Sequence, residues 1–202
     1  MKKIIKVTVL SVLLIAAVVL LAGCGTKESK AYKVLSETIG KDTYVLTMEG
    51  EMEGMGEATV TVARQGEKRA MDMTVQGMHI SVIYVDGTTY TIMHDEKIYA
   101  SEEGENASAF DIGLEMSATD LKSIKEAVFE TGKEEIDGKK YDTETYPMED
   151  GSKETYFFEG DTLKYLKTVD GNDELLLKII ELSNKVDSSL FEVPSDYELY
   201  EY

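Results

Sequence analysis

From Thr43 onward the chain alternates apolar and polar residues with a period of two, in short segments set apart by glycine-bearing turns. Few folds accommodate such a pattern. Segments 43–49, 57–65, 68–76, 78–85 and 88–100 are rich in Thr, Val, Ile, Tyr and Met, and most are separated by turns at Gly50 to Gly56, Gly66-Glu67, Gly77 and Asp86-Gly87. Strands at roughly ten-residue spacing with this punctuation predict an antiparallel meander. Within it Ala58, Val60 and Val62 alternate with Thr59 and Thr61, and Met71, Met73 and Val75 with Asp72 and Thr74. The pattern predicts one apolar face and one polar face.

Two stretches break the period. Ala31, Val34, Leu35, Thr38 and Ile39 fall at helical spacing and end at Gly40. After a loop over 101–118, Ser117-Ala-Thr-Asp120 has the form of a capping box, opening a helix with Leu121, Ile124 and Val128 inward. Strands resume at 129–136, 139–146, 153–159 and 162–169, with turns at Asp137-Gly138, Asp150-Gly151, Gly160-Asp161 and Asp170-Gly-Asn-Asp173. Segment 174–183, ELLLKIIELS, fits a helical stripe and a doubly buried strand equally well. The order predicts an α+β fold: one large curved antiparallel sheet, an open half-barrel of about 9–11 strands, with two or so helices on its concave side. Because no Pro-, Gly- or Ser-rich linker divides the two runs, residues 31–202 form a single domain in this reading.

The N-terminus is of another kind. Lys2, Lys3 and Lys6 precede an apolar run from Val7 to Ala22, as in an export signal. That run is near the lower limit for a spanning helix, so an uncleaved anchor is the alternative. Leu21-Ala22-Gly23-Cys24 resembles a bacterial lipobox and contains the only cysteine. The resemblance implies cleavage after Gly23 and acylation of Cys24, with residues 1–23 as signal peptide and 24–30 as lipidated cysteine and tether. A diacylglyceryl group supplies the two chains that stable anchoring needs, and no thiol is left for redox, metal or nucleophilic work. The six residues Gly25–Lys30 reach at most ~20 Å, so the body stays close to the bilayer. The three lysines are the only charged side chains in residues 1–23, so the remaining 179 residues carry −21 rather than −18. Such a charge disfavours nucleic acid and anionic headgroups as partners for the body.

With these elements in place, the chain resembles the LolA-like superfamily, which includes lipoprotein carriers, the LppX/LprG-type lipoproteins and other bacterial lipoproteins. The resemblance rests on element order over residues 31–200 and on IDGKKYDTE (136–144), TYFFEGDTLKYL (155–166) and SSLFEVPSDYEL (188–199), with Phe191-Glu-Val-Pro194 and Tyr197. It implies that 174–183 is a strand leading to a short turn at Asp187–Leu190. It also implies a concavity, plugged by helices, that holds acyl chains or a partner's hydrophobic segment. Lipoprotein carriers are soluble, whereas a chain fastened at Cys24 on a short leash suits holding, receiving or sensing at the membrane.

The remaining residues offer several candidate chemistries. Six of the ten methionines fall between Met48 and Met78. Thioethers either line a surface that accepts varied apolar shapes or fill gaps in an ordinary core. The candidate cavity lining is Met71, Met73, Val75, Met93, Tyr84, Tyr156, Phe158 and Tyr165. A copper(I) site at Met48, Met52 and Met55 finds no His or Cys beside it. His79 and His94 lie on adjacent segments, but without a third His or Cys they make a poor zinc site, so we read them as isolated and expect no metal or other cofactor. There is no G-x-S-x-G elbow, phosphate loop or dinucleotide fingerprint, and acid pairs such as Glu134/Glu135 read as solvated charge. The twelve tyrosines suit half-buried strand positions, with hydroxyls that reach water, glycans or a partner protein. The sequence therefore predicts a non-catalytic lipoprotein outside the cytoplasm, on the cell membrane, or on an outer membrane given Gly25 rather than Asp after the cysteine. It binds a hydrophobic ligand in its hollow, or serves as an envelope protein–protein scaffold with a side-chain-filled core.

Overall fold

The structure, a computed structural model, describes residues 28–52, 56–106, 110, 118–148 and 150–200. The export signal, Cys24, Ser117 and Met55 lie outside the described residues. In chain order the elements are α1 (Lys30–Glu37), β1 (Thr43–Met52), β2 (Gly56–Gln65), β3 (Lys68–Val75), β4 (Met78–Val85), β5 (Thr88–Met93) and β6 (Ile98–Glu103). Then come α2 (Ala118–Glu126), β7 (Glu130–Ile136), β8 (Lys139–Pro147), β9 (Lys153–Glu159), β10 (Thr162–Asp170) and β11 (Asp173–Ser183). A 3-10 turn (Ser188–Phe191) and β12 (Glu198–Leu199) finish the chain. Helix, meander, helix, second meander is the order expected from the sequence.

All twelve strands belong to one sheet, ordered β12-β6-β5-β4-β3-β2-β1-β11-β10-β9-β8-β7. The two meanders are joined by the antiparallel pairing of β1 with β11, and every pair is antiparallel except the short β12–β6 contact. The end strands β12 and β7 do not pair with each other, so the curved sheet remains open. Segment 174–183 is therefore strand: β1 and β10 each present an edge, and β11 fills the gap with ladders on both sides. Gly50 permits the close approach there, since a β-carbon on it would stand 2.7 Å from the Leu176 carbonyl oxygen and 2.7 Å from Leu177 Cδ2.

The hairpins follow from their turn residues. Gln76-Gly77, Asp86-Gly87 and Asp137-Gly138 each place two successive residues at positive φ, as two-residue turns matched to strand twist require. One segment departs from expectation. Segment 88–100 is two strands, broken at His94–Lys97 by a turn in which Lys97 takes φ 54° without any glycine. With β12, this split brings the count to twelve.

The two faces carry separate cores. On the helix-bearing face, Ala31, Leu35 and Ile39 of the α1 region and Ile124 of α2 pack with Leu46, Met48, Val60, Val62, Met71, Val82, Tyr146, Tyr156, Phe158 and Leu177. The opposite face is not simply polar, contrary to the alternation argument. Val45, Ala63, Ala70, Ile83 and Ile92 are buried there with Phe191, under a C-terminal strap that adds Val186, Leu190, Val193 and Tyr197. Ala63 and Ala70 are cross-strand partners, and their small side chains leave room for the Phe191 ring. Val128, expected inward, is 84% exposed because α2 ends at Glu126; Ala127 and Phe129 pack against the core instead.

Candidate functional site

The first helix is pinned to the sheet by a buried acid. Ser29 is the N-cap of α1, its Oγ accepting from the Tyr32 amide at 2.8 Å. Glu144, on β8, reaches the same helix end. Its Oε1 accepts the Lys30 amide at 2.8 Å and its Oε2 the Ala31 amide at 3.0 Å. The Tyr146 hydroxyl also donates to Oε2 at 3.0 Å and lies 2.5 Å from Ser29 Oγ. Burial, above all, pushes the Tyr146 phenol well above its ordinary range. A carboxylate beside free N–H groups and the positive end of α1 is in its most favourable setting. At the other end, the Asn184 amide donates to the Thr38 and Thr43 carbonyls and holds α1 against the start of β1.

Beside α1 lies a cleft of about 440 Å³. Val34 and Thr38 of the α1 region form one wall, Asp161 to Lys164 the second, and Ile179 to Leu182 of β11 the third. Its chemistry is mixed: Val34, Leu163, Ile179, Ile180 and Leu182 are apolar, while Asp161, Lys164 and Glu181 carry charge. Ile180 is 46% exposed, an open apolar side chain at the rim. That volume falls within the range of small-ligand sites, roughly 300–1,000 Å³.

The residues expected to line a cavity lie elsewhere, and none of the eight borders this cleft. Met71, Tyr156 and Phe158 are buried in the helix-side core, and Val75 is buried on the same strand face as Met71. Met73 and Tyr84 are half-buried against that core, whereas Met93 is exposed. Tyr165 turns to the opposite face, where its ring meets Tyr141 at 5.3 Å and Phe157 at 6.3 Å. A bulge between Leu163 and Tyr165 shifts the alternation that would place it with Tyr156. Met48 is a core residue, which removes it from any copper trio. Of the acid pair, Glu134 meets Lys167 Nζ and Glu135 is exposed.

On the strap side of the sheet the two histidines are not isolated. His79 of β4 and His94 after β5 stack with ring centroids 3.8 Å apart and planes 13° from parallel. His79 Nε2 is 2.7 Å from Asp72 Oδ2, the Ser81 hydroxyl donates to the same oxygen at 2.6 Å, and Ser81 Oγ is 2.7 Å from His94 Nε2. The Tyr197 hydroxyl, on the strap, is 2.9 Å from His94 Nδ1. Proton positions follow from donor capacity. Ser81 has one hydrogen and gives it to Asp72, so His94 must donate through Nε2–H. His79 donates to a carboxylate, which only accepts. His94, neutral, then accepts from Tyr197 at Nδ1. Partial burial, followed by the adjacent His79, holds the His94 pKa below its ordinary value, and that keeps the ring neutral.

This Ser–His–Asp set is not a nucleophilic triad. In a triad the serine proton goes to histidine and the acid orients the far imidazole nitrogen. Here the acid takes the serine proton directly, the histidine donates into the serine oxygen, and Ser81 is buried. Sequence reasoning looks for a third His or Cys and passes over Asp72, which the β3–β4 register sets opposite Ser81.

No family model matches the chain, and no curated protein matches it. Among solved structures, an uncharacterized conserved protein from Thermus thermophilus is 9% identical, covering 85% of this chain and 99% of that one, with a TM-score of 0.47. LprF from Mycobacterium bovis is 10% identical over 83% of this chain and 97% of that one, at 0.45. MucB, in complex with MucA(peri), is 12% identical over 88% of this chain and 62% of that one, also at 0.45. These likenesses are too distant to bear on function. Among the described residues no helix is long and apolar enough to cross a membrane.

Proposed function

We propose that the chain is a non-catalytic binding module, tethered outside the cytoplasm through lipid on Cys24, that receives an apolar chain or segment in the cleft between α1 and β10–β11. The observation that carries this reading is where the cleft lies. Its wall α1 starts at Lys30, six residues beyond the cysteine of the lipobox-like tetrad, a span of at most ~20 Å. An opening of mixed polarity on the first element after the tether suits an amphipathic ligand that leaves, or enters, the adjacent bilayer, its apolar part against Val34, Leu163, Ile179 and Leu182. The charged residues at its rim suit a polar end. A second reading, an envelope scaffold without ligand, draws on a different observation: the hollow between helices and sheet is filled by the protein's own buried side chains.

Native mass spectrometry of the full chain, released from detergent, separates the two. A bound ligand gives adducts of acyl-chain mass that organic extraction removes and that Ile179→Trp, which fills the cleft, abolishes while the protein stays folded. A clean mass in the native protein refutes the receptacle and favours the scaffold. The tether is tested apart from the ligand: Cys24→Ser shifts the protein out of the detergent phase, and unchanged partitioning refutes acylation.

A further inference from the structure

We propose that Asp72, His79 and His94 form a binding site for one divalent first-row transition ion, Zn²⁺ or a close relative, with Tyr197 as the residue that orients His94. One ligand atom from each of the three lies within 4.8 Å of the others. Two imidazoles and a carboxylate, with room for water, are a donor set that suits such ions and leaves an open coordination position. Mg²⁺ and Ca²⁺, which take oxygen ligands, fit it poorly.

The scaffold is suited to the task. Asp72 and His79 sit on paired strands, and the His94 amide donates to the His79 carbonyl at 3.0 Å, so three backbone positions are fixed by sheet hydrogen bonds. All three side chains are half-buried, reachable by an ion yet restrained by neighbours. Asp95 lies alongside, its Oδ2 3.4 Å from the His79 amide, and adds negative potential. Formal charge across the chain, −18, raises the local concentration of cations.

Ion binding needs a defined rearrangement. In the empty site both Nε2 atoms carry protons, as the donor accounting requires. The ion takes the Nε2 lone pairs, so the proton on each Nε2 must leave that atom; on His94 it moves to Nδ1. His94 Nδ1–H then donates to the Tyr197 oxygen, reversing the present hydrogen bond without breaking it. That is the usual outer arrangement of a ligating histidine, whose second nitrogen donates to a fixed acceptor. Ser81 Oγ, 2.7 Å from His94 Nε2 and 2.6 Å from Asp72 Oδ2, stands where the ion enters, so its side chain must rotate away from Nε2. Because the rings now stack with nearly parallel planes, His79 must turn about χ2 for both lone pairs to converge, while His94 stays on Tyr197.

The test is a Co²⁺ titration of the full chain in detergent, in a non-chelating buffer at neutral pH, followed by visible absorption. One equivalent with ligand-field bands is expected, displaced by Zn²⁺ and unaffected by excess Mg²⁺. Asp72→Asn and His94→Gln, both close in shape to the native residues, remove the bands while circular dichroism stays unchanged. Tyr197→Phe keeps them with affinity roughly ten- to a hundredfold weaker. Absence of bands overturns the proposal and leaves the cluster as a polar pin for the strap. Bands that survive both ligand substitutions overturn it too, because the ion then sits elsewhere on the acidic surface.

Discussion

Replacing Glu144 by Gln removes one oxygen and one charge from a buried position and changes almost nothing in shape. The carboxylate accepts from the Lys30 and Ala31 amides, the Ser29 hydroxyl and the Tyr146 hydroxyl. Glutamine offers one acceptor. Its amide nitrogen must face either the Lys30 amide or the group of three donors on the other side, so at least one donor is orphaned inside the protein. A hydrogen bond to a charged group contributes about 1.5–3 kcal/mol, and a negative charge at a helix N-terminus up to about 2 kcal/mol in a partly buried setting. Glu144 is 5% exposed, so solvent screens little of this. These effects overlap, and the expected loss is about 2–4 kcal/mol, a large share of a typical domain stability of about 5–15 kcal/mol.

Urea denaturation measures it, as a lower midpoint with an unchanged slope. Two neighbours serve as controls: Ser29→Ala removes the cap at about 1 kcal/mol, and Tyr146→Phe removes one hydroxyl at about 1 kcal/mol. Each, combined with Glu144→Gln, loses less than the sum, since the partners share one network. Amide exchange at Lys30 and Ala31 accelerates before global unfolding. A Glu144→Gln loss under about 0.5 kcal/mol, within the range of an ordinary surface change, refutes the view that this carboxylate holds α1 to the sheet.

Phe191→Ala empties the space over Ala63 and Ala70 and lowers stability by about 3–5 kcal/mol, the usual range for a buried aromatic ring. Limited proteolysis then cuts first after Val186, and uniform resistance along the strap counts against a Phe191 anchor. His94 titrates below 6.5, with burial and then His79 lowering it while Asp72 and Asp95 pull more weakly the other way. A base held low in the folded state contributes stability that is complete above about 6.5 and declines as pH falls through the folded midpoint. Imidazole NMR shifts report that midpoint, and a value above 6.5 contradicts the geometry described for the stacked pair.

The hairpins can be read from the sequence because Gln76-Gly77, Asp86-Gly87 and Asp137-Gly138 announce themselves chemically: glycine tolerates the second positive φ. The turn at His94–Lys97 cannot, because Lys97 adopts that conformation without glycine. What forces it is tertiary: the His94 amide pairs with the His79 carbonyl, and the Lys97 carbonyl accepts from Glu198 of the strap. Segment 174–183 is undecidable from its own residues, since its partners β1 and β10 lie far away in sequence or across a turn. The same distance hides the site residues. Glu144 reads as one more polar position in a strand until Ser29, 115 residues earlier, is brought beside it. Asp72 reads as a solvent-facing alternate until His79, His94 and Tyr197 surround it. Period-two patterning reports which side a residue takes; it does not report what covers that side. Strap residues Phe191 and Tyr197 carry no periodic signal, although they supply the second core.

An open sheet of this size has two edges, and an unpaired edge is a template for joining another chain. The chain treats its edges differently. On one side β12, from the strap, pairs in parallel with β6 through Glu198 and Leu199 and occupies part of that edge. At the other end β7 reads ETGKEEI, with Glu130, Lys133 and Glu135 exposed and Glu134 joined to Lys167. Charge there disfavours pairing with a second copy, because it would bring together two edges that each carry Glu130, Lys133 and Glu135. The strap therefore has two jobs that rest on one set of residues: Phe191 fills the space over the central strands, and the two residues after Tyr197 cover the edge. A change at Phe191 that frees the strap exposes both, so its loss is expected to promote association as well as unfolding. Replacing Glu130 and Glu135 by neutral residues should promote association alone, since both are exposed.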